Sequence, residues 1–352
     1  MNEITTTMLG ASGVGKTTLL TSINEEFKTI NQEVKFKLLP ESDTEEILQK
    51  NLAELKSMGD QITSKEGSRG IAGTRAVAGP DSLPKFIFNL SKQTQGKKEK
   101  TLLRLIFRDY PGSYVLSTNP VGREFLKKLL RESAAAIVSI DTPAMIEPHQ
   151  PDPLNNKNWG LRKDSGKWHD ARNHPEEILE LFKSAYSRLD EPKLVILAPV
   201  KCETYVQTPE STEKLLDWIQ DRYAPLLKFL SDPSRKDKIA VVITPVKTVG
   251  CLFFSRFFVE DFNKPRFVFK KKNSSETYNP QDNDHLLRYL LSFLLNLHNR
   301  SQIYDRSPIW KTVRKVFQQE SIFEQAVKQF AQTRKTNDGF TILQGHDLLR
   351  IK

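Results

Sequence analysis

Near the start of the chain, the run Gly10-Ala-Ser-Gly-Val-Gly-Lys16-Thr17 has the residue types and spacing that hold a polyphosphate. Gly10, Gly13 and Gly15 let the backbone turn tightly, so that amides of Ser12, Gly13, Val14 and Gly15 can converge on an anion. Lys16 then reaches the terminal phosphates, Thr17 offers a hydroxyl to Mg²⁺, and Thr18 continues into a helix. Such a turn works only between a strand and a helix N-terminus, whose dipole adds positive potential. Both flanks fit: Glu3 to Leu9 is β-branched and apolar, and from Thr17 to Ile30 the residues Leu19, Leu20, Ile23 and Phe27 share one helical face.

A second cluster, Arg108-Asp109-Tyr-Pro-Gly112, follows directly on an apolar run. An aspartate at a strand end beside a phosphate turn can hold Mg²⁺, and a glycine three residues later can give its amide to a terminal phosphate. Ser113 comes next.

The elements positioning these residues read as alternating strands and helices. Pro84 to Leu90 and Thr101 to Phe107 are joined by a connector too short for a crossover helix, which predicts an antiparallel hairpin at the sheet edge. Further strands are expected at 134–140, 194–198 and 239–243, and a hairpin insertion over 251–270. Helices are expected over 43–58, 121–131, 175–189, 209–230 and 284–299. The pattern predicts a three-layer α/β fold with a mostly parallel sheet covered on both faces. Residues 59–84 are rich in glycine and polar side chains and read as a loop, and 141–173 as a polar insertion. The expected organisation is one domain over 1–300 and a helical extension over 301–352, with a short strand-like end.

With 352 residues, 38% of them hydrophobic, the chain can bury a core of that size. The formal charge of +10 permits nucleic acid as a partner without demanding it, because the basic residues are scattered apart from short runs such as Lys270-Lys271-Lys272. Two cysteines, Cys202 and Cys251, make no disulfide framework, and no segment reads as a membrane span, so a cytoplasmic location is expected. His169 and His174 have no cysteine or carboxylate at metal-ligand spacing and read as part of a surface loop. Trp159 and Trp168 read as pins holding the insertion to the body.

The order strand, phosphate turn, helix, loop, hairpin and D-x-x-G resembles a GTPase of the translation-factor and Ras-like class. Ala198-Pro-Val-Lys-Cys-Glu203, Ile243-Thr-Pro-Val-Lys-Thr-Val-Gly250 and Tyr278-Asn-Pro280 make it most similar to bacterial YcjX-like and double-GTPase conflict-system proteins. The resemblance implies GTP and GDP as ligands, Mg²⁺ as cofactor, hydrolysis of the β–γ phosphoanhydride, and a switch with a cognate protein partner or homodimer, in relatives often part of defence systems. It places Lys201 along the base plane and Glu203 as acceptor for guanine, although Val200 and Glu203 stand where the class has Asn and Asp. Thr244 falls on the loop whose backbone contacts the guanine carbonyl. Thr74 is the candidate switch threonine completing the Mg²⁺ shell with Thr17 and Asp109, Thr63 its rival, and Arg75 or Arg69 a candidate arginine finger. Ser113 in place of a water-orienting glutamine implies slow unassisted turnover. A nucleotide-dependent scaffold without hydrolysis, and an ATPase or kinase with the same phosphate turn, are the competing expectations.

Overall fold

A computed structural model describes residues 2–30, 34–61, 83–92, 100–147, 167–261, 264–273, 275–299 and 308–351. Thr63, Arg69, Thr74, Arg75 and Trp159 lie outside them.

Eight strands form one sheet. At its centre β1 (Glu3–Leu9) pairs in parallel with β4 (Thr101–Arg108) on one side and β5 (Ala135–Asp141) on the other. Beyond β5 lie β6 (Lys193–Val200) and β7 (Ile239–Ile243), parallel in their turn. On the other side β3 (Lys85–Lys92) runs antiparallel both to β4 and to β2 (Phe36–Pro40). The expected hairpin is present, but β2 lies outside it and forms the edge. At the opposite edge β10 (Thr341–Gln344) runs antiparallel to β7.

The sheet is buried because its strands are apolar at successive positions, and alternation sends neighbours to opposite faces. Along β5 every residue is buried. Ile137 faces a core shared with Ile4, Met8 and Ile196, while Val138 and Ile140 face a second core with Leu9 and Leu197. The first core is closed by α1 (Lys16–Ile30), α9 (Asp284–Asn299), α10 (Pro308–Gln319) and α11 (Ser321–Gln332). The second is closed by α3 (Pro120–Glu132), α6 (Pro175–Ala185), α7 (Pro209–Arg222) and α8 (Ala224–Leu230). The result is three layers. The expected single helix over 209–230 is divided at Tyr223, where the following Ala224-Pro225 opens a new helix. Helix α2 (Ser42–Gln61) packs beside α1 and extends three residues into the expected 59–84 loop.

Of the helical extension expected over 301–352, residues 308–351 are described, and they pack into the same core as the domain. Phe330 of α11 packs edge-on against Phe27 of α1 and Phe36 of β2, at centroid distances of 5.6 and 5.4 Å. The guanidinium of Arg288 lies 4.1 Å from the Phe330 ring and donates 2.8 Å to its carbonyl. Leu348 and Leu349 of α12 (His346–Leu349) are buried in the same core. Glu26 of α1 accepts the amides of Asp282 and Asn283 at 2.8 and 2.7 Å, which ties α1 to the start of α9.

Two more helices and a hairpin complete the described chain. Helix α4 (Thr142–Ile146) follows β5 directly, and α5 (Lys167–Asn173) ends the expected insertion. Among the described residues, strands β8 (Leu252–Asp261) and β9 (Lys264–Lys271) pair with each other in a separate two-stranded sheet. Phe267 of β9 packs with Ala144 and Trp168, so Trp168 joins the 141–173 segment to this hairpin rather than to the central sheet.

Phe330→Ala tests whether the tail is integral. Truncating a buried phenylalanine costs about 3–5 kcal/mol, so the denaturation midpoint of the whole domain falls. A detached extension would leave it unchanged.

Candidate functional site

Because β1, β4, β5, β6 and β7 are mutually parallel, their carboxyl ends emerge on one edge of the sheet. After β1 the chain fills one side of the sheet, then crosses to β5 on the other. Open α/β sheets bind ligands at such a reversal, outside the carboxyl ends of the strands. Here that edge gathers the 10–17 turn, Asp109, Asp141, Lys201–Glu203 and Thr244.

The turn after β1 leads straight into α1 at Lys16. Gly13 and Gly15 have φ of +74° and +117°, backbone that L side chains rarely adopt. Ser12 and Gly13 are exposed, Gly15, Thr17 and Thr18 half-buried, and Val14 buried beneath them. The Lys16 side chain is 6% exposed. Its ammonium donates to the carbonyls of Gly10 and Ala11 at 3.0 and 3.1 Å and lies 3.9 Å from the Asp109 carboxylate. Burial pulls the Lys16 ammonium below its usual value, opposed by the negative charge of Asp109. The Tyr110 ring lies 5.7 Å from the ammonium.

Asp109 sits at the tip of β4 with its side chain 1% exposed. Thr17 Oγ1 donates to its Oδ2 at 2.7 Å, while Oδ1 is buried with no hydrogen-bond partner. The Lys16 ammonium faces this oxygen at 3.9 Å without a hydrogen bond, so a lone pair is left that a cation would satisfy. The oxygen donors of Thr17 and Asp109 are hard ligands suited to Mg²⁺, so the residues present fit that ion. Among the described residues no cluster of three or more His, Cys, Asp or Glu could hold a metal by itself. Gly112 begins a 3-10 turn (Gly112–Val115) packed on the glycine-rich turn: a Cβ built there would lie 1.8 Å from the Ser12 amide nitrogen. Only glycine allows that approach. Ser113 beside it is exposed.

Further along this edge, Lys201 follows β6 in the left-handed region, at φ +57°. Its ammonium donates to Asp141 Oδ2 at 2.6 Å and to the Gly13 carbonyl at 3.3 Å, and the Phe267 ring centroid lies 6.0 Å away. Glu203 is buried. Its Oε1 accepts the amides of Val249 and Gly250 at 2.9 and 3.1 Å. Burial pushes this carboxyl up, against the lowering effect of those amides and of Lys247. The Thr244 amide donates to the Leu197 carbonyl at 2.9 Å, and its hydroxyl is buried with no hydrogen-bond partner. Nearby, Ser22 of α1 donates to the Thr248 carbonyl at 2.6 Å, and the Asn279 amide to Val249 at 3.0 Å. These contacts tie the loop after β7 to α1 and to Tyr278-Asn-Pro280.

The structure therefore brings together Gly10, Ser12, Gly13, Val14, Gly15, Lys16, Thr17, Asp109, Gly112, Lys201, Glu203 and Thr244 along one edge. Sequence reasoning missed Asp141, which reads there as the first residue of an insertion. Its Oδ1 caps α4 through the Ala144 amide at 3.2 Å. Asn173 of α5 brackets its backbone, accepting from the Asp141 amide at 2.7 Å and donating to the Asp141 carbonyl at 3.1 Å. Asp-Thr-Pro is visible as a helix-capping pattern, which hides any second use of the carboxylate.

His169, expected on a surface loop, is buried, because α5 packs it beneath the β5 tip. Asn173 Nδ2 lies 3.1 Å from His169 Nδ1. The two bonds to Asp141 fix the amide's orientation, so its NH₂ group donates and Nδ1 accepts. Burial, with Arg222 adding to it, lowers the His169 pKa to about 4.

A scan against protein-family models found no match, and a search of curated proteins found no relative. No helix among the described residues is long and apolar enough to cross a membrane.

His169 predicts a pH dependence of stability. It is neutral in the fold down to about pH 4 and charges near pH 6.5 when unfolded. Between those values the unfolded chain binds the extra proton, so stability is lost as pH falls through that window. In denaturant titrations His169→Gln should show a shallower loss between pH 6.5 and 4 than the unchanged protein. Parallel curves would contradict the assignment.

Proposed function

We propose that this protein is a Mg²⁺-dependent P-loop nucleoside triphosphate hydrolase working as a conformational switch, with GTP as the expected substrate and GDP as product. The observation that carries this reading is a buried lysine, curled into a glycine-rich turn at a helix N-terminus, 3.9 Å from a buried aspartate oxygen that makes no hydrogen bond. Buried charges persist where something compensates them, and a triphosphate with its cation compensates both.

The roles divide among the chain's own residues. Amides of 12–16 and the α1 dipole would hold the phosphates, and Lys16 would neutralise their charge. Thr17 and Asp109 would hold Mg²⁺, which supplies neutralisation of the β- and γ-oxygens. Gly112, close against Ser12, would give its amide to the γ-phosphate and so report its loss through the segment after Asp109. Lys201 would lie along a purine and Thr244 beside it. Thr74 and Arg75, outside the described residues, remain the proposed switch threonine and arginine. Exposed Ser113 offers only a short hydroxyl where a water-orienting side chain would stand, which supports slow turnover controlled by a partner protein or a second copy.

A second reading, ATP or either purine, is favoured by Glu203. Guanine presents two donors, and a carboxylate meets both by using both oxygens. With Oε1 already accepting two loop amides, Glu203 meets them only by letting go of Val249 and Gly250.

Single-turnover assays should show phosphate release on the order of 10⁻⁴ to 10⁻² s⁻¹, the range of switch GTPases lacking outside help. Asp109→Asn should abolish it. Bound nucleotide with no release above buffer would leave a scaffold instead. Competition by ATP equal to that by GTP would select the second reading.

A further inference from the structure

Motifs account for Lys201 but not for what holds it. Its backbone sits at φ +57°, a conformation that costs a lysine energy and persists only where surroundings impose it. Val200 offers no polar group to tie the β6 tip to the glycine-rich turn. The tie is made instead by the ammonium, gripped at 2.6 Å by a carboxylate whose side chain is 2% exposed. The same ammonium reaches the Gly13 carbonyl at 3.3 Å.

We infer that Asp141 is a positioning residue, which clamps the Lys201 ammonium onto the Gly13 carbonyl and thereby links the β6 tip to the glycine-rich turn, and that Asn173 sets Asp141 for this task. The carboxylate has a fixed aim because its other oxygen caps α4 and both backbone polar groups of Asp141 are taken by Asn173. Asn173 is itself buried and bonded to His169, so the clamp extends back to α5, where the chain returns from the long insertion. The Lys201–Asp141 contact joins two charged groups at 2.6 Å, which makes it shorter and stronger than a neutral hydrogen bond. The cationic head of Lys201 is thus occupied, which leaves its four-carbon stem as the part available for apolar contact. That the stem then supports a purine rests on the function proposed above; the clamp itself does not.

The experiment uses amide hydrogen exchange of the full chain without nucleotide, followed over residues 10–16, in Asp141→Asn, Lys201→Met and the double variant. Asp141→Asn keeps an oxygen for the α4 cap and removes the charge. Each single change should raise exchange in that segment about tenfold, the low end for a charge-assisted bond, and the double variant should rise no further. Unchanged exchange in Asp141→Asn, or a double variant equal to the product of the singles, would overturn the inference. If Asp141→Asn fails to fold, Lys201→Met reads the same contact from its exposed end, and no rise there overturns it equally. With nucleotide present, Asp141→Asn should raise KM about tenfold with kcat within about twofold, because the clamp holds the base side rather than the phosphates. A protein that binds no nucleotide yet shows the exchange pattern would retain the clamp and lose the proposed function.

Discussion

The parallel register of β1 with β4 and β5 is the constraint on which the site depends. Side-chain alternation in these strands leaves almost no exposed surface, so helices must cover both faces and loops can lie only at the strand ends. Parallel direction then sends five chain segments out at one edge. Glycine-rich turn, Asp109, Asp141, Lys201 and Thr244 come from positions separated by up to 234 residues, yet share that edge.

Charge at this edge is buried and internally compensated. Lys16 is held by two carbonyls and Asp109, Lys201 by Asp141 and a carbonyl, and Glu203 by two amides. Removing water from such groups is costly unless each finds partners. Asp109 Oδ1 makes no hydrogen bond and faces the Lys16 ammonium at 3.9 Å, beside the Thr17 hydroxyl that bonds the other carboxylate oxygen. The same compensation fixes loop positions: Glu203 fastens the loop after β7, and Asp141 fastens the start of β6's exit. Both carboxylates are anchors for neighbouring segments of the chain.

Local pattern made much of this legible in the sequence. The glycine-rich turn was readable because strand, turn and helix signals lie within a few residues, and the parallel strands because apolar runs such as Leu194–Ala198 are unmistakable. Strand β2 was not: Phe36 and Leu38 alternate inward, but the segment is five residues long and ends in a proline. Amphipathic periodicity showed the tail helices, while their partners Phe27 and Phe36 lie some 300 residues away and leave no local trace. His169 and Asp141 were misread for the same reason, since their burial depends on α5 folding back beneath β5. Glu203 shows the limit of motif position: its place after β6 suggests a base reader from the sequence, whereas in the structure loop amides claim one of its oxygens.

The central claim, that this edge grips a triphosphate, is tested most directly by titration calorimetry of the full chain with Mg²⁺ and non-hydrolysable GTP or ATP analogues. The account predicts saturable heat at one site with at least one of them, and none in Lys16→Ala at the same concentrations. Folded protein giving no heat with any triphosphate, or Lys16→Ala binding as well as the unaltered chain, would contradict it.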